Sequence, residues 1–324
     1  MGSAVSVIIP VFNRASLIGG AIESALEQTL PGDEVIVVDD GSTDGTPDAV
    51  RVYGDRVRMI EQSNGGAGAA RNTGIAEARN PIVAFLDSDD RWLPGKLDLQ
   101  RALMDHMPDV VMCFAEEAQQ KADESLTHGR MVWDPNALGV PCQLQLGSET
   151  VTCHVGDAYL LFMQLGPLIQ TNTVLMRRDA IPPAPFALNV KMFEEEAAFA
   201  KVARNGRLAY LDREVSVTCE HGGARLTDAR TMVEAADWLT VVEAVWGQDA
   251  AFLKTHLAEY NRAFAACLIA RARLYLSQGE AVRARQDFRR AGQFRWSARI
   301  ASLVPPGLLG AALDLFDKLT RFIR

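Results

Sequence analysis

The sequence contains no Cys-x-x-Cys pair. Its five cysteines (Cys113, Cys142, Cys153, Cys219, Cys267) are scattered and odd in number. That suggests neither a disulfide framework nor a zinc site, and it fits a reducing, intracellular setting. No uninterrupted apolar stretch is long enough to cross a bilayer. No signal peptide is expected ahead of the first strand, because Val5-Ser6-Val7-Ile8-Ile9 begins almost at Met1. Basic residues are outnumbered, and the net charge of -8 argues against a nucleic-acid partner held by phosphate neutralisation. A nucleotide, by contrast, needs only a local site. These absences leave a cytoplasmic protein of ordinary composition. Its 324 residues, 48 % apolar and 23 % charged, suffice for one large domain or two smaller ones.

What is present is an alternation of strand and helix signals. Val5 to Pro10, Glu34 to Val38, Val57 to Ile60 and Pro81 to Leu86 read as strands, and the continuous apolar ones suit parallel strands covered on both faces. Helices are expected around the stripe Leu17, Ile18, Ala21, Ile22, Ala25, Leu26, after an N-cap at Thr46, over Ala69 to Ala78, and from Trp92-Leu93-Pro94 to about Met107. This order indicates an α/β fold of right-handed βαβ units with a mainly parallel sheet. Val110 to Phe114 and Thr173 to Met176 read as further strands, Phe193 to Ala203 as a helix, and Leu208 to Leu211 as a short strand. Residues 115 to 165 read as loops and short strands without assigned chemistry. From about Asp228 only helices are expected, so a domain boundary is placed there, giving 1–227 and 228–324.

Five polar clusters stand at the ends of these elements. Asp39-Asp40-Gly41-Ser42-Thr43-Asp44-Gly45 can offer a carboxylate to a base or a ribose, with a glycine that lets a flat ring approach; taken alone it reads first as a turn and helix cap. Asn64 to Gly68, followed by Arg71, puts backbone N–H groups and a permanent cation at a helix start, which favours an anion; the plain alternative is a mobile loop. Gly66 to Arg71 is not a dinucleotide fingerprint, because arginine stands where the last glycine belongs. Asp87-Ser88-Asp89-Asp90 crowds three carboxylates behind a buried strand. Two carboxylates plus diphosphate oxygens suit Mg²⁺ or Mn²⁺, with Asp89 the first-choice ligand, Asp87 on the metal or the ribose, and Asp90 a cap for the next helix. Glu194-Glu195-Glu196 is either a favourable acidic first turn or a general base with a raised pKa. His221-Gly222-Gly223 is a structural hydrogen-bonder or a close approach to a ligand.

Taken in order, these clusters resemble the GT-A-fold glycosyltransferases of family 2. The resemblance rests on Val7-Ile8-Ile9-Pro10-Val11-Phe12-Asn13-Arg14, Val38 to Gly45, Ala70-Arg71-Asn72-Thr73-Gly74, and Leu86 to Asp90 followed by Trp92-Leu93-Pro94; with His221 it covers about two-thirds of the chain. It implies a GT-A, Rossmann-like domain with a helical C-terminal extension. It also implies metal-dependent transfer of a hexose, with inversion, from a nucleotide-diphosphate sugar, usually UDP-linked. By position, Pro10, Val11 and Asn13 would line the nucleotide pocket and Asp40 would meet the base beside Asp39. Asn64, Gly68, Arg71 and Ser88 would lie on the nucleotide side. Asp87 and Asp89 would hold the metal with His221, and Glu195, next to Glu194, would be the base. The family usually has aspartate at the base position, and three consecutive glutamates leave Glu194, Glu195 and Glu196 open.

The acceptor is not legible: a saccharide, a lipid-linked sugar or a protein all suit the same donor half. Leu303 to Arg324 is amphipathic and ends in Lys318, Arg321 and Arg324. It reads as a terminal helix packed on the body, or as a helix on the anionic inner face of the cell membrane. Two rival readings keep the fold. One is a catalytically silent nucleotide-sugar scaffold. The other is a nucleotidyltransferase, which would need a basic glycine-containing loop after the first strand, where Val11-Phe12-Asn13-Arg14 has one arginine and no glycine.

Overall fold

The computed structural model describes residues 2–121, 125–128, 134–146, 149–165, 169–186, 190, 192–220 and 232–293. The chain divides into two compact units. The first is Met1–Leu188 with Glu194–Gly223, and the second is Asn189–Phe193 with Ala224–Arg324. The boundary expected near Asp228, His221 and the terminal amphipathic segment lie outside the described residues.

The first unit opens with β1 (Val5–Val11), α1 (Ile18–Leu26), β2 (Glu34–Asp39), α2 (Thr46–Arg51), β3 (Arg58–Glu61), α3 (Ala67–Glu77) and β4 (Ile82–Phe85). All seven β1 residues are buried, as are five of the six in β2 and all four in β4. These are the runs whose unbroken apolar character demands cover on both faces. They pair in parallel, with Val7 opposite Val35 on one side and Ala84 on the other, and β3 extends the ladder from β2. α3 packs close on β1 because of Gly74: a Cβ there would stand 2.4 Å from Ile8 Cγ2.

The next elements are β5 (Arg91–Trp92), α4 (Lys96–His106), β6 (Val110–Gln120), β7 (Leu126–His128), β8 (Pro141–Leu146), β9 (Glu149–Gly156), α5 (Tyr159–Leu165), β10 (Leu175–Arg177), α6 (Glu194–Ala203) and β11 (Arg207–Cys219). The sheet order is β3-β2-β1-β4-β10-β6-β11-β9-β8, with β5 on β11 and β7 on β6. It is a mixed sheet flanked by helices. β6 and β11 are parallel to each other, whereas β10 runs antiparallel to both β4 and β6.

Several expected boundaries move. The helix placed at Trp92 starts at Lys96, after Gly95 at φ 86°, because Trp92 pairs with Ser216 and the Leu93 N–H donates to Val215 O at 2.9 Å. Thr46 is the first residue of α2 and not its cap; the Asp44 carboxylate accepts from the Thr46 N–H at 2.9 Å. The short strand expected at Leu208 runs on to Cys219, since its partner β6 also continues to Gln120. The cysteines are less dispersed in space than in sequence, for β8 sets Cys142 opposite Cys153 of β9.

The second unit holds α7 (Met232–Val245), α8 (Ala250–Ser277) and α9 (Ala281–Ala291). Asp249 caps α8, accepting from the Ala251 and Phe252 N–H groups at 3.1 Å each. A fork of Arg271 onto Asp287, 2.8 Å at both contacts, ties α8 to α9, and Trp246 is fully buried. Among the described residues no helix is long and apolar enough to cross a membrane.

Candidate active site

The strand tips of the first unit are laced together by side chains from their own loops. Asn13 sits in the left-handed region at φ 51°. Its N–H donates to Ser42 Oγ at 2.8 Å, and its Oδ1 accepts from the Thr43 N–H at 2.8 Å. Asparagine tolerates this backbone because its short amide bonds locally. Pro10 and Val11 are buried in β1 opposite Val38 and Asp39. Asp39 and Asp40 are both buried, and Asp39 accepts from the Ser42 N–H at 3.2 Å.

Asp40 is the organiser of the glycine loop. Its carboxylate accepts from Gln62 Nε2 at 2.7 Å, the Gly65 N–H at 2.9 Å and the Gly66 N–H at 2.7 Å. Gly41, at φ 79°, allows the approach: a Cβ there would meet Asn64 N at 3.1 Å and Gln62 O at 3.2 Å. The loop backbone is therefore a close neighbour of this glycine. The loop is also pinned by these bonds.

α3 begins at the far side of the loop, behind Gly66 at φ 88°. An acidic side chain stands at its N-terminus. The Glu194 carboxylate lies over Gly68, so near that an added Cβ would stand 2.4 Å from Oε2, and it accepts from the Gly68 N–H. Phe193 ahead of it, at φ 67°, turns the chain into α6.

Arg71, one turn along α3, is buried and joins the two acidic clusters. Nη2 donates to Asp87 Oδ1 at 2.8 Å, Nη1 donates to Glu195 Oε1 at 2.8 Å, and Nη1 lies 3.7 Å from Glu194 Oε1. The guanidinium carbon stands 5.6 Å from the Phe186 ring centroid. One cation thus faces three carboxylates. Burial and the like charge of Glu195 push the Glu194 carboxyl up to about 7, with Arg71 opposing. Burial and the like charge of Glu195 push the Glu196 carboxyl up to about 8. Burial also raises the Asp87 carboxyl despite Arg71.

The acidic turn after β4 is held by a residue that sequence did not single out. Asn172 Oδ1 accepts from the Asp87 N–H at 2.8 Å, while Nδ2 donates to Asp90 Oδ2 at 2.7 Å and to Glu117 Oε1 at 3.0 Å. Asn172 O accepts from Trp92 Nε1 at 2.9 Å. Its only sequence signal is a polar Thr171-Asn172-Thr173 step before an apolar strand. Asp90 does not cap the next helix; its other oxygen accepts from the Cys219 N–H at 2.9 Å, and burial pushes its carboxyl up to about 8. Ser88 is buried in the turn, and Asp89 Oδ2 lies 3.5 Å from Arg14 Nε.

Asp87 and Asp89 offer hard carboxylate oxygens, and the repulsion that Asp89 exerts on Asp87 is the field a divalent cation relieves. Among the described residues no three His, Cys, Asp or Glu side chains close around a metal position. Structure thus gathers Asp87, Arg71, Glu194 and Glu195 at one point, and Pro10, Val11, Asn13, Asp39, Asp40 and Asn64 at the tips of β1 and β2.

Residues 6–165 match the pattern of glycosyl transferase family 2. An uncharacterized glycosyltransferase of Rickettsia typhi is 30 % identical over 252 residues, covering 75 % of this chain and 70 % of that protein. One from Rickettsia felis is 39 % identical over 223 residues, but the chain spans only 33 % of its length. In fold the chain resembles the crystal structure of S. aureus TarS 1–349 in complex with UDP-GlcNAc, at a TM-score of 0.62 and 18 % identity, over 96 % of this chain and 91 % of that one. Kinship at this identity, sustained over more than two-thirds of both the R. typhi protein and this sequence, on a sheet of that architecture, means that the chain belongs to glycosyl transferase family 2.

Proposed function

We propose that the protein transfers a hexose with inversion from a nucleotide-diphosphate sugar, UDP-linked, to an acceptor hydroxyl in the assembly of a polysaccharide or other glycoconjugate. The observation that carries this reading is Arg71, whose two terminal nitrogens join Asp87, on the donor side, to Glu195, on the other. The UDP-GlcNAc complex of the structurally similar TarS supports the donor class.

Residues 1–227 form the donor half, with the nucleotide over Pro10, Val11, Asn13, Asp39 and Asn64. Asp87 and Asp89, with His221, would hold Mg²⁺ or Mn²⁺, which when bound offsets charge on the departing diphosphate. Arg71 fixes the Glu195 carboxylate through Oε1. Among the described residues no hydrogen bond engages Oε2, which is left to take the proton from the acceptor hydroxyl. Glu194 is committed to the start of α3, so Glu195, the glutamate that Arg71 holds at 2.8 Å, suits the role best. The activated oxygen then attacks the anomeric carbon from the face opposite the diphosphate. Residues 228–324 either select the acceptor, which is a saccharide, a lipid-linked sugar or a protein, or rest on the inner face of the cell membrane.

The test is a thermal-shift screen of nucleotide sugars with and without Mn²⁺, since a ligand that binds only the folded state raises its apparent stability. It is followed by acceptor-stimulated release of nucleoside diphosphate. Glu195→Gln is expected to lose about 10²–10⁴-fold in transfer while binding donor nearly as the wild type does. Donor binding with no release from the wild type would make the protein a silent scaffold, and full turnover in the variant would move the base elsewhere.

A further inference from the structure

Two thiols face each other at one edge of the sheet. β8 is its outermost strand on that side, and Cys142 of β8 is the register partner of Cys153 of β9. Their sulfurs are 2.6 Å apart, on the hairpin face that packs into the core with Leu144 and Val151. Directly opposed residues of an antiparallel pair have the Cα spacing that a disulfide can bridge. The two differ in access: Cys153 is fully buried, whereas Cys142 is partly open. Burial and the neighbouring Cys142 push the Cys153 thiol up to about 12, so Cys142 is the sulfur that meets a reagent first. Cys113 of β6, the other cysteine beside Cys153, is buried and its sulfur accepts from Gln100 Nε2 at 3.6 Å.

We propose that Cys142 and Cys153 form a reversible dithiol site whose oxidant is a small-molecule disulfide of the glutathione type, and that closing it fastens the edge strand β8 to the sheet. Cys142, as thiolate, attacks one sulfur of the small disulfide and expels one thiol, leaving a mixed disulfide on Cys142. Cys153 then gives up its proton and attacks the Cys142 sulfur, expelling the second thiol. Two protein thiols lose two electrons and two protons, and the small disulfide gains them as two thiols. β8 pairs with β9, and among the described residues no strand pairs with its other edge. The new bond joins residue 142 of β8 directly to residue 153 of β9. None of this depends on sugar transfer.

The experiment treats the reduced full-length protein with oxidised glutathione, quenches in acid, alkylates in denaturant and maps the peptides. The expected result is three alkylated cysteines in place of five, a peptide joining Cys142 to Cys153, and recovery of all five after reduction. Amide exchange in β8 is expected to slow about tenfold or more on oxidation. Cys113→Ser should keep the bridge and Cys142→Ser should lose it. A lasting glutathione adduct on Cys142 with Cys153 still alkylated, a Cys113–Cys153 bridge, five unreacted thiols, or a bridge that leaves β8 exchange unchanged would each overturn the proposal.

Discussion

Replacing Arg71 by methionine removes the cation that faces Asp87, Glu194 and Glu195 while keeping most of the side chain's volume. The guanidinium stands 2.8 Å from Asp87, 2.8 Å from Glu195 and 3.7 Å from Glu194. Each such contact is worth up to about 4 kcal/mol gross at the effective dielectric of a protein site. Most of that offsets the cost of burying the arginine and the mutual repulsion of the acids. Deleting one partner of a buried ion pair costs about 3–5 kcal/mol, because the other charge is left uncompensated, and Arg71→Met should fall in that range near neutral pH. The sign with pH follows from which acids already hold protons. Burial keeps the Glu194 carboxyl at about 7 and Asp87 above its ordinary value, and losing Arg71 raises both further. Folding then takes up protons on acidification, so the variant recovers stability as pH falls. Urea unfolding followed by tryptophan fluorescence at about pH 7.5 and about pH 5.5 should show the deficit shrinking by at least about 1.4 kcal/mol, the worth of one pKa unit. A deficit under about 1 kcal/mol near neutrality, or one that grows in acid, would refute the clamp.

Three further outcomes are expected. Lys96 is buried under the Trp92 ring at 4.7 Å and donates to Gln100; burial brings its ammonium down from 10.5 to about 7. The unfolded chain therefore holds a proton there that the fold releases, and stability from this residue rises with pH between about 7 and 10.5. Lys96→Met should flatten that rise, by up to roughly 5 kcal/mol, as seen in unfolding curves across the window. Gly68→Ala should cost about 1–3 kcal/mol by pushing on the Glu194 carboxylate, and much less in a Glu194→Ala background. A double-mutant cycle showing no coupling would count against that contact. Asn172→Leu strips partners from the Asp87 N–H, Asp90 and Glu117 together and should cost about 3 kcal/mol or more by denaturation; a loss under about 1 kcal/mol would mean that the turn holds itself.

The first strands of the sheet were legible because full burial imposes unbroken apolar runs, as in Val5–Val11 and Glu34–Asp39. The acidic turn was legible because three carboxylates behind such a run have no packing explanation. The roles inside the clusters were harder. Asp40 serving the glycine loop, or Glu194 serving the start of α3, is a contact between distant segments, and no local pattern announces it. Asn172 reads locally as a turn residue; only the arrival of β4, β5 and β6 around it makes it a hub. The long β11 was shortened in the sequence reading because its outer half alternates polar and apolar residues, and its pairing with β6 decides its length.

The Arg71 contact has a consequence for biogenesis. Asp87 depends on a residue 85 positions later, and Arg71 on one 124 positions later. The stretch matching the family pattern ends at 165, before either partner has been synthesised. A growing polypeptide on the ribosome therefore exposes its β1–β4 strands well before its acidic centre can mature. Any early-terminated product would carry the β1–β4 strands and lack Asn172 and Glu195, the partners of Asp87 and Arg71.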